Sequence, residues 1–135
     1  INPEAEKYPR AVKAEEAILG TLLLHPDLIL PISREISADL FVTPFNRGLY
    51  GRLLERQSKG LLVELAFLAA DYDEEKMAYI TRMVHEAQER SGTLEEVRSY
   101  VEILRREQVS RTLENPELPA EQIRDILEEL RRQKT

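Results

Sequence analysis

The chain has 135 residues, 42% hydrophobic and 33% charged, with 19 Lys and Arg against 25 Asp and Glu and no Cys. That balance excludes a disordered chain, which could not bury enough apolar surface to offset its chain entropy, and the missing thiols exclude disulfides, thiolate metal sites and cysteine nucleophiles. A net charge of −6 argues against a domain held mainly to DNA phosphates, no apolar run approaches the roughly 18 to 20 residues needed to cross a bilayer, and a cytoplasmic location is expected.

Apolar residues recur at spacings of three and four, with little strict alternation, so the chain reads as all-α: a multi-helix bundle followed by a C-terminal helical hairpin. Its first residue, Ile1 in place of Met, reads as the start of a piece cut from a longer protein. Residues 1–10, with Pro3 and Pro9 among charges, read as a flexible tether. From Ala11 to Leu24, Ile18, Leu19, Leu22 and Leu23 make an apolar stripe that His25-Pro26 ends. Gly20 inside that stripe costs about 1 kcal/mol against Ala, which a close helix crossing would offset.

Asp27 is placed to cap a short helix through Ile36, with Pro31 distorting its start. Ser37 to Val42 reads as a connector anchored by Leu40 and Phe41. Thr43-Pro44 combines a capping hydroxyl with proline at the first helical position and opens a helix to about Ser58. Phe45, Leu49, Leu53 and Leu54 give its buried stripe, and Gly60 its left-handed end. The nearly continuous apolar run 61–70 predicts a short buried helix.

Asp71 and Asp73 both qualify as caps for a helix through about Arg90, with Met77, Ile80, Val84 and Ala87 inward. Gly92 ends it. Thr93-Leu94-Glu95-Glu96 is a capping box, in which the Thr hydroxyl and the Glu side chain each satisfy an orphan amide. The helix it opens runs to Glu114 with Leu94, Val97, Val101 and Leu104 in register, Asn115-Pro116 and Pro119 turn the chain, and a last helix starts at Ala120. The resulting division is a bundle over 11–92 and a connecting helix with its hairpin over 93–135. Residues 1–70 hold 8 basic and 9 acidic side chains and residues 71–135 hold 11 and 16, so the acidity lies in the second half. Arg124, Glu128 and Arg132, four apart, fit a solvated helix face.

The chemistry-bearing patterns are sparse. No glycine-rich phosphate cradle occurs among five scattered glycines. His85 and Glu89 lie one turn apart without a second histidine to complete a metal site, and Asp71-x-Asp73-x-Glu75 lacks the later glycine and glutamate of a calcium loop. Glu15-Glu16 and Glu74-Glu75 are adjacent, so each pair diverges on its helix. Arg105-Arg106 and Arg131-Arg132 are diluted by nearby Glu and lack interleaved aromatics, which predicts little or no direct nucleic-acid binding. No enzyme activity, metal or cofactor is expected in this segment. The last helix carries Ile123, Ile126, Leu127 and Leu130 on one stripe, with Arg131 beside it. Either that stripe zips onto the preceding helix, or it inserts into a partner groove with anchors at i, i+3, i+4 and i+7; the five residues are the inferred partner-binding set.

The run from Lys13 to Ile29 fits A-E-x-x-[IL]-L-x-x-L-L-x-x-P-x-L-[IL], and Asp39-Leu40-Phe41 and Pro44 follow it. Over about residues 13–55 this resembles the C-terminal helicase-binding domain of bacterial DNA primase, and equally the N-terminal domain of the replicative hexameric helicase, which shares the fold. Two features favour the primase. The helicase pattern V-D-[LV]-x-T-[VL] is replaced by Leu62-Val63-Glu64-Leu65-Ala66-Phe67, and the chain ends on a charged hairpin with Arg131-Arg132-Gln133-Lys134-Thr135. The resemblance implies a non-catalytic interaction module of a DNA-directed RNA polymerase, docking on the N-terminal collar of the hexameric helicase and coupling priming to unwinding. The alternative is the self-associating collar domain of the helicase itself.

Overall fold

Helices form wherever an apolar stripe and a start signal coincide, and the computed structural model, which describes residues 1–114 and 120–133, shows them without any strand among those residues. In chain order they are α1 (Pro9–Leu24), α2 (Ile29–Ser33), α3 (Pro44–Ser58), α4 (Leu65–Leu68), α5 (Glu74–Ala87), α6 (Leu94–Leu113) and α7 (Ala120–Gln133). The fold is all-α. Among the described residues no single helix is long and apolar enough to cross a membrane.

The centre of the bundle is α1, packed chiefly against α5 and α6. It is buried almost all round, with Ala11, Ala14 and Ala17 adding to the expected Ile18, Leu19, Leu22 and Leu23, the pattern of a core helix rather than a surface one. Gly20 marks the crossing that its cost predicts. A Cβ there would lie 2.2 Å from the Met83 carbonyl oxygen and 3.3 Å from the Ala87 Cβ.

Residues 1–8, expected to hang free, lie against the bundle instead. Asn2 donates to the Tyr79 hydroxyl, Tyr8 packs on the core, and Pro9 takes the first helical position of α1. Asp27 caps nothing; Pro26 starts a 3-10 turn over Pro26–Leu28 that carries Asp27 inside it, and this shortens α2 to five residues. Leu40 and Phe41 anchor the connector as expected, with the Phe41 and Tyr50 rings stacked at 4.9 Å. Thr43 caps α3 by accepting from the Asn46 amide at 3.3 Å. The buried face of α3 includes Asn46 and Tyr50 beside Leu49 and Leu53, while Phe45 and Leu54 are half-buried. Gly60 and Gly92 both take φ of +68°, closing the helices before them.

The run 61–70 departs most from expectation. It yields a single helical turn, α4; Val63 and Leu68 are buried, and Leu65 packs half-buried against the core. Leu61, Leu62 and Phe67 stay exposed, because one turn presents too narrow a face to bury both its own side chains and those of the loop before it. Asp73, not Asp71, caps α5, accepting from the Lys76 amide at 2.9 Å, and Asp71 pairs with Arg52. Helix α5 stops at Ala87, and i→i−3 turns carry the chain to Arg90. The capping box of α6 is half made. Thr93 accepts from the Glu96 amide at 3.2 Å, but the Glu96 carboxylate turns to the Ser91 amide at 2.9 Å, since Gly92 in its left-handed conformation folds Ser91 back over the first turn.

Candidate interaction site

The first helix of the terminal pair is tied to the bundle by its own sequence. Val97, Val101 and Leu104 of α6 are buried, Arg98 bridges Glu35 at 2.9 Å, and Arg105 donates to the Glu35 carbonyl at 2.8 Å. Beyond Leu104 no residue of α6 is buried. The expected turn over residues 115–119 lies outside the described residues.

Helix α7 is amphipathic and has no buried residue. Ile126 and Glu129 share a cleft of about 210 Å³ with Gln108, Val109 and Thr112 of α6, and Glu129 also borders residues 35–40. Of the sequence-derived set, Ile126 and Leu130 are half-buried, Arg131 is exposed, and Ile123 and Leu127 are exposed at 37% and 45%. The four apolar members share one stripe, of which part touches α6 and part faces outward. Arg132 bridges Glu129 at 3.1 Å.

The other basic and acidic pairs have local roles. Arg105 is used in the contact with Glu35, just past α2, and Arg106 bridges Glu102 at 2.6 Å. Glu74 and Glu75 stand in the first turn of α5, where negative charge suits the helix dipole. Among the described residues no three His, Asp or Glu side chains converge as a metal centre needs.

Sequence reading missed the polar node at the heart of the A-E-x-x motif. Glu15 is fully buried; its Oε1 accepts from Thr43 Oγ1 at 2.8 Å and Asn46 Nδ2 at 3.0 Å, and its Oε2 accepts from the Val42 amide. Burial pushes the carboxyl above the usual Glu range, and the hydrogen bonds from Val42, Asn46 and Thr43 pull it back. Asn46 Oδ1 in turn accepts from the Tyr79 hydroxyl at 3.1 Å, so α1, α3 and α5 meet in one network. The available signal was the position of Glu15 inside an apolar stripe, where a charge needs partners. Glu16, next to it, lies on the surface side and bridges Arg82 at 3.2 Å.

A helical bundle locked by a buried carboxylate, with an amphipathic helix beside its rim, defines the class as an all-α helical domain. Residues 7–106 match the DnaB-like helicase N terminal domain family. The chain belongs to that family. The match covers α1 to most of α6 and leaves α7 outside it. No curated protein and no solved structure matches the chain.

Proposed function

We propose that this domain is the non-catalytic helicase-binding module of a bacterial DNA primase, which docks on the N-terminal collar of the replicative hexameric helicase and brings RNA synthesis to unwound DNA. The observation that carries the reading is the outward part of the α7 stripe, Ile123 and Leu127 at 37% and 45% exposure, on a helix with no buried residue. Apolar anchors at i and i+4 on an amphipathic helix suit a partner groove. Ile126, Leu130 and Arg131 complete the contact set. The replacement of the helicase pattern by Leu62 to Phe67 supports the primase parent. The second reading, the helicase's own collar domain, has the family match in its favour.

Size-exclusion of the domain with and without a bacterial hexameric helicase tests the choice. Co-elution with the hexamer supports the primase module. Strong self-association without any affinity for the hexamer supports the collar domain.

A further inference from the structure

The side of α6 that carries Tyr100, Ile103 and Glu107 faces Arg10, Lys13 and Ala17 of α1 across an open groove of about 490 Å³. Helix α7 lies elsewhere, against Gln108, Val109 and Thr112. At 100° per residue those positions fall on the opposite flank of α6. The groove is therefore not the seat of the chain's own last helix.

Its charge runs against that of the chain. Arg90 and Arg106 also line it, and Glu107 is the one carboxylate among the described lining residues. Arg106 has Glu102 as a partner, but Arg10, Lys13 and Arg90 meet no carboxylate among the described residues. Elsewhere on the surface Arg52 and Arg98 each meet one, and Arg82 meets two. Past the groove the row continues. Lys7 and Arg111 lie over the Tyr8 ring at 5.4 and 5.2 Å, and Arg90 lies over the Tyr100 ring at 5.7 Å. One guanidinium nitrogen of Arg90 and one of Arg111 are buried with no hydrogen-bond partner among the described residues, so each is a donor in want of an acceptor.

The unpaired cations of Arg10, Lys13 and Arg90, beside two arginine–tyrosine stacks, combine the two elements that hold single strands: charge that tracks a phosphate backbone and flat surfaces on which bases stack. An acidic helix would use the rim charges and leave the stacks without a role. We propose that the groove between α1 and α6 binds single-stranded nucleic acid, with phosphates on Arg10, Lys13 and Arg106 and bases on the Arg90–Tyr100 and Arg111–Tyr8 stacks. The net charge of −6 opposes the approach of a polyanion, so binding is weak and strongly dependent on salt. Sequence reading missed the site because its cations come from three separate stretches of chain, which only the packing of α6 on α1 brings together.

Fluorescence anisotropy with a labelled oligo-dT of about 12 nucleotides tests this, and it uses no helicase, so its outcome is independent of the docking reading. The domain should bind with a dissociation constant on the order of 10 to 100 μM at about 20 mM salt, with a log–log salt slope near −2, as about three phosphate contacts on a single strand require. Arg10→Glu with Lys13→Glu, both exposed positions, should weaken binding at least about tenfold, while Arg124→Glu on α7 should leave it within about twofold. Circular dichroism melts check that each variant is folded. The proposal fails if no saturable binding appears at low salt, or if the folded double variant binds like the parent. It also fails if an acidic amphipathic peptide occupies the groove more tightly than the oligonucleotide and displaces it.

Discussion

Glu15 and Asn46, 31 positions apart, meet through a 3.0 Å hydrogen bond beneath the amino end of α3. The bond closes a polar node in an otherwise apolar core, where three donors depend on one carboxylate. Glu15→Ala leaves the Val42 amide, the Thr43 hydroxyl and the Asn46 amide group unsatisfied in a dry cavity. The expected loss is about 3 kcal/mol, read as a lower urea midpoint with an unchanged slope. A loss below about 0.5 kcal/mol would show that water replaces the carboxylate.

The same node makes stability depend on pH in a stated direction. Glu15 is raised from its ordinary 4.5, chiefly by burial, so the folded chain holds this proton more tightly than the unfolded one. Its contribution is fully present below pH 4.5 and is lost as pH rises through the higher folded value. Comparison with Glu15→Gln, which removes the titration, isolates this group. The stability of the parent relative to the variant should fall from pH 4 towards neutrality; a rise over that range would mean that the hydrogen bonds outweigh burial.

Two glycines on different helices should respond with opposite signs. Gly20→Ala places a methyl 2.2 Å from the Met83 carbonyl oxygen, a backbone atom that cannot swing aside, so α1 and α5 must part. We expect a loss of about 3 kcal/mol or more. Gly48 lies inside α3 with nothing within 4 Å of the added carbon. Gly48→Ala should raise stability by about 0.5 to 1 kcal/mol. Thermal melts of the two variants decide both signs.

On the proposed reading, helix α7 serves docking and not folding. Removing residues 115–135 takes away no fully buried side chain of the described residues, so the cooperative melt should persist with a midpoint within a few degrees. Helicase co-elution should be lost. Leu127→Asp, at an exposed position, should do the same without touching the melt, through the cost of burying a charge in a closed apolar contact, several kcal/mol. Full-strength binding by the truncated chain would assign the contact to the bundle.

Local signals were legible where they concerned one turn of chain. Thr43-Pro44, Gly60, Asp73 and Thr93 lie where their chemistry demands, because a cap depends on residues three positions away. Gly20 was readable too, since a costly residue on a buried stripe implies a close neighbour. The run 61–70 was not. Composition records that Leu61, Leu62 and Phe67 are apolar, but burial depends on whether another element covers them, and none does so fully. The network of Glu15, Asn46 and Tyr79 and the basic row along α1 both join residues from remote stretches, so neither has a signature at any fixed spacing.

Helix α6 has one end in the core and the other outside it. Its 20 residues make a rod of about 30 Å, clamped by Val97, Val101, Leu104 and the two arginine contacts to Glu35. The nine residues past Leu104 form an arm of about 14 Å. With Leu104 as fulcrum, a swing of about 10° carries the free end roughly 2 Å and moves Arg98, about 9 Å to the other side, by about 1.6 Å the opposite way. A load applied at α7 is therefore felt as torque on the contact of α6 with Glu35, where the Arg98 ion pair lies further from the fulcrum than the Arg105 hydrogen bond.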